Sequence, residues 1–129
     1  MSVWRQKAIE CAPELRKEFE AHDLTPYTVF MELLPITRKA HKEKDYNRLK
    51  KIYDFAEWCH KQKDKNLWNA VGVTFYEHLA DTDETYLQIT KWIKKEIYLD
   101  IRELLNQRVD NEKIKSLDEY YIIKACKYK

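Results

Sequence analysis

With 44% apolar and 13% aromatic side chains over 129 residues, the chain has enough to bury for one self-sufficient domain and too much for a disordered segment. Its 24 basic and 22 acidic side chains leave a net charge of +2, so no strong overall field draws it to nucleic acid or anionic lipid. A single glycine excludes the glycine-rich phosphate loops and, with only three prolines, leaves little turn chemistry for a many-stranded sheet.

Ser2 is placed to cap a first helix over 3–12, and Pro13 to open a second segment over 13–22, where its missing N–H has no intrahelical partner. A break near Ala12 follows, with Trp4, Ala8, Cys11, Leu15 and Phe19 continuing one apolar stripe across it. Thr25 before Pro26 signals the next helix start. Tyr27, Phe30, Met31 and Leu34 give that helix an inward face. Pro35 in its interior removes a hydrogen bond at a cost of about 3 kcal/mol and predicts a kink.

The stretch 45–79 reads as an antiparallel helical hairpin, with Asp45 and Asp64 as the two N-caps. Leu49, Ile52, Tyr53, Ala56 and Cys59 form the stripe of its first helix; Leu67, Val71, Thr74, Phe75 and Leu79 form that of its second, with Trp68 at the shoulder. Gly72 lies deep in the second helix, where it costs about 1 kcal/mol relative to alanine and calls for compensation by a close neighbour or a ligand.

Asp81 with Glu84, or Thr82, opens a further helix over 83–93, and an apolar pattern from Ile97 to Val109 follows it, as a continuation or as a second helix. Asp110 and Asn111 break that run before a last helix over 112–129, with Ile114, Leu117, Tyr121 and Ile122 inward. The sum is a single all-α domain over 1–129, an irregular bundle of about six helices arranged as HEAT-like antiparallel hairpins.

No residue set in the sequence specifies catalysis, a cofactor or a metal. Glu57 and His60 make one carboxylate-to-histidine step of the type used in di-iron bundles, but no second copy accompanies it. Cys11, Cys59 and Cys126 are scattered, and Cys59 sits on a buried stripe, so inert thiols in a reduced, cytoplasmic protein are expected. No run approaches a membrane span.

Nine tyrosines and four tryptophans are the unusual quantity, and Tyr46, Tyr53, Trp58 and Tyr76 could line one exposed surface of the hairpin as a protein contact. Lysines 50, 51, 61, 63 and 65 lie near them, but interspersed acids make a solvated face the better reading and disfavour nucleic acid.

The run from Leu49 to Leu79 resembles an uncharacterised family of small bacterial all-helical proteins, on Phe55 and Glu57 followed by Asn69, Ala70, Val71, Val73, Phe75, Glu77 and Leu79. The similarity covers about residues 27–105. Its members look like immunity or accessory proteins, which implies protein binding and carries no catalytic residues. The expected function is therefore non-enzymatic binding of another protein, a toxin in the most specific form, with Glu57, Asn69 and Glu77 added to the candidate contacts. The alternatives are a small-ligand binder or enzyme with a pocket near Pro35 and Gly72, and a nucleic-acid accessory protein.

Overall fold

The computed structural model describes residues 2–123, and among these no strand occurs. By internal packing the chain divides into two compact units, Met1–Phe75 and Tyr76–Lys129.

Unit 1 begins with α1 (Val3–Cys11), which stops at Ala12, whose backbone leaves the helical region at φ −142°. Ser2 occupies the cap position with an extended backbone, but its side chain makes no capping bond. A 3₁₀ turn (Pro13–Leu15) and the one-turn α2 (Arg16–Phe19) follow. Arg5 holds this segment against α1 by donating to the carbonyls of Phe19 and Ala21 at 2.6 and 2.8 Å.

Helix α3 (Pro26–Glu43) starts where Thr25 accepts from the Thr28 N–H, and α4 (Tyr46–His60) starts where Asp45 accepts from that of Arg48. Helix α5 (Lys65–Val71) is capped likewise by Asp64. Lys44 takes the left-handed conformation (φ 57°) that reverses the chain between α3 and α4.

Pro35 does not interrupt α3. It lies on the exposed side, as does Met31, whose carbonyl loses its partner there, so water can take up the freed group. The inward face of α3 differs from the expected one. Val29, Phe30, Leu33, Thr37 and Ala40 are buried, while Met31 is 63% exposed. Phe30 fixes that rotation: its ring stacks on Phe55 of α4 (5.2 Å, 15°) and meets Phe75 at 5.6 Å.

The α4 stripe is buried as expected, from Leu49 through Cys59. Thr74 of the following stripe is only half-buried, because the α-helix ends at Val71 and gives way at Gly72 to a wider π-helical turn (Gly72–Tyr76). Gly72 has φ −64°, so its place owes nothing to left-handed backbone.

In unit 2 a 3₁₀ turn (Glu77–Asp81) leads to two one-turn helices, α6 (Asp83–Tyr86) and α7 (Ile89–Trp92). Ile93 is extended (φ −105°, ψ 123°), so α7 and α8 (Lys95–Asn106) are separate helices. Asp110 caps α9 (Asn111–Asp118), which passes into a π-helical turn (Glu119–Ile123). The segments thus outnumber the six helices expected, because the stretch read as one helix after Asp81 is broken into single turns. Ile114, Leu117 and Tyr121 are buried as expected. Ile122 is described in its backbone only, and Cys126 with the terminal lysines lies outside the described residues.

Candidate functional site

The side chains of α1 and α4 face one another in complementary stripes. Lys7, Glu10 and Cys11 recur at three- and four-residue steps on α1; Lys51, Asp54, Phe55 and Trp58 do so on α4. Three bonds fix their register: Arg48 donates to the Cys11 carbonyl at 3.2 Å and to Glu14, and the Cys11 thiol donates to the Lys51 carbonyl at 3.4 Å. Between the helices these seven side chains line a groove of about 420 Å³.

Its floor is apolar, formed by the buried Phe55 and Cys11. Trp58 stands half-buried at its edge with the Lys7 ammonium 5.3 Å over the ring, a cation–π contact that orients both. Asp54 is neutralised by Lys50 at 2.7 Å. Lys51 and Glu10 supply charges of opposite sign on opposite helices.

The two thiols in this region are buried. Burial pushes Cys11 up to about 12, helped by Glu10, and pushes Cys59 up to about 12, helped by the neighbouring Cys11. Both stay protonated at neutral pH. Among the described residues no three of His, Cys, Asp and Glu converge as a metal site, and no helix is long and apolar enough to cross a membrane.

The structure scatters the residues singled out from the sequence. Trp58 joins the groove. Tyr46, 56% exposed, lies in the first turn of α4, about 18 Å along the axis from Trp58 at 1.5 Å per residue. Glu57 is on the flank of α4, paired with Lys61 at 3.1 Å. Asn69 donates to the Tyr27 hydroxyl at 2.9 Å, tying α5 to α3.

Tyr53 and Tyr76 are 5% and 1% exposed and form no part of a surface. Tyr53 falls on the inward stripe of α4, meeting Phe75 edge-on at 5.9 Å and His41 Nε2 at 2.8 Å. Burial raises its hydroxyl well above the usual tyrosine range. In unit 2, Glu77 and Asp81 approach the Arg108 guanidinium at 3.6 and 3.3 Å, with His78 Nδ1 2.7 Å from Asp81. That cluster is a cation already held by two carboxylates, and it closes the turn onto the end of α8. The 420 Å³ groove is lined by neither Pro35 nor Gly72, where a pocket was expected.

The α1 side of the groove escaped the sequence reading. Lys7, Glu10 and Cys11 carry the same spacing signal as the α4 stripe, but only tertiary packing shows that the two stripes face each other.

Residues 5–117 match the family described as "Domain of unknown function (DUF7674)". The chain belongs to that family. The match takes in most of α1, all of α4 and nearly all of α9, so the groove-lining residues and most of unit 2 are parts of the DUF7674 domain itself. No curated protein and no solved structure matches the chain.

Proposed function

We propose that this domain is a non-enzymatic protein-binding module whose contact surface is the α1–α4 groove. The observation that carries the reading is the half-buried Trp58 beside an apolar floor, with a rim of charges of both signs. An indole anchored at one edge and ringed by charged side chains is the composition of an interface hot spot. Small-molecule sites instead gather a few fixed polar groups into an enclosing pocket. Here the charged groups of Lys7, Glu10, Lys51 and Asp54 are instead spread along two helices around the groove. The most specific form of this reading, suggested by the residue resemblance, is a cytoplasmic immunity protein that neutralises a toxin.

The test is affinity capture from source cells with the wild-type chain and with Trp58→Ala in parallel. A single partner retained in stoichiometric amount by the wild type and lost in the variant, with the melting temperature of the two chains similar, supports the proposal. No stoichiometric partner, or equal retention by both, contradicts it.

A further inference from the structure

The charges of the α1–α4 groove follow a definite order. The two helices run antiparallel across it, because the Lys7 ammonium lies over the Trp58 ring at one end and the Cys11 thiol reaches the Lys51 carbonyl at the other. Glu10 therefore stands between the two lysines from the α1 side, and Asp54 stands between them from the α4 side, beside the buried Phe55. From end to end the lining reads positive, negative, negative, positive.

Both carboxylates are open to a partner. Glu10 is exposed, and among the described residues it makes no ion pair. Asp54 does pair with Lys50, but Lys50 lies outside the lining with its side chain 72% exposed, and an exposed pair of this kind gives way readily to a partner's charge.

The order is the same from either end, and this decides between occupants. A second copy of the chain, set on the groove by a two-fold axis along it or across it, brings acids against acids and lysines against lysines. A uniformly acidic segment meets like charge at the centre, and a uniformly basic one meets it at both ends. Resting on the reading of this groove as a protein-contact surface, we infer that its occupant is a helix of another protein with an arginine flanked by two acids. The arginine lies against the apolar floor between Glu10 and Asp54, where its planar fork can bond both carboxylates. The flanking acids meet Lys7 and Lys51. Lys51 and Trp58 are separated by about 10 Å along α4 at 1.5 Å per residue, which a docked helix spans in roughly two turns. Its acids then stand about seven residues apart, with the arginine about midway.

The test is selection on the immobilised full chain from a displayed library of helical peptides of roughly 15 residues, randomised along one face. The expected result is enrichment of peptides with a central arginine and flanking acids, bound less well by Trp58→Ala. Their affinity, read by fluorescence anisotropy, should fall at least roughly tenfold in Glu10→Lys/Asp54→Lys and recover when the peptide's arginine is exchanged for glutamate. Circular dichroism of each variant confirms that it is folded. No enrichment, an acid at the centre of the enriched peptides, or an affinity unchanged by Glu10→Lys/Asp54→Lys overturns the inference. Enriched peptides of any other pattern also overturn it; if Trp58→Ala abolishes their binding, the groove still stands as a contact surface, and if it does not, that reading fails as well.

Discussion

Phe30→Ala is expected to cost unit 1 about 3–5 kcal/mol, the range for truncating a fully buried phenylalanine. The ring is 0% exposed and is shared by three helical segments, stacked on Phe55 and tilted against Phe75, so its removal leaves a void that none of them can close alone. Met31→Ala, one position further along α3, is the control. That side chain is 63% exposed and its loss should change stability by no more than about 0.5 kcal/mol. Urea unfolding followed by tryptophan fluorescence measures both. Equal costs for the two variants would mean that α3 presents a different face to its neighbours.

Asp118→Ala should destabilise unit 2 by about 2–3 kcal/mol. Its carboxylate accepts from Arg102 Nε and Nη2 at 2.8 and 2.6 Å and from the Tyr98 hydroxyl at 2.7 Å. Tyr98 is 0% exposed, so truncation strands a buried hydroxyl; Arg102, with its side chain 31% exposed, can still reach water. The guanidinium of Arg102, with help from Tyr98, holds the Asp118 carboxyl below the usual aspartate range.

A carboxyl held low in the folded state and normal in the unfolded one adds stability that is complete above the unfolded value, about 3.9. It is lost as pH falls from there through the folded value. The protection factors of α8 and α9 amides in the wild type, taken against the intrinsic exchange rate at each pH, should therefore fall on acidification below about pH 4. Asp118→Asn should lack that component while being less protected at neutral pH. An identical pH profile in wild type and variant would remove Asp118 as the source.

Local chemistry was the legible part of this fold. Thr25, Asp45 and Asp64 all cap helices as read, because each needs only a main-chain N–H a few residues away, and Asp110, read only as a break, caps α9 in the same way. The α4 stripe was legible because charged residues separate its apolar positions. The face of α3 was not, since residues 29–34 are apolar around more than half of the helix and only the phenylalanine partners on α4 and beyond decide the rotation. The break at Ile93 depends on a tyrosine 28 residues away bonding its carbonyl, which no window of sequence contains.

The same division holds for the groove. Trp58 was legible as a surface aromatic, and Tyr53 could have been rejected from its own stripe. The α1 half, by contrast, exists only through the packing that Arg48 and Cys11 secure.

The central claim is that the α1–α4 groove is where another protein sits. Its most direct test is site-specific photo-crosslinking in source cells, with a benzophenone amino acid at position 58, or at Glu32 on the exposed side of α3 as control. The account predicts one discrete crosslinked partner from position 58 and none from position 32. No adduct at 58, or the same adducts from both positions, would contradict it.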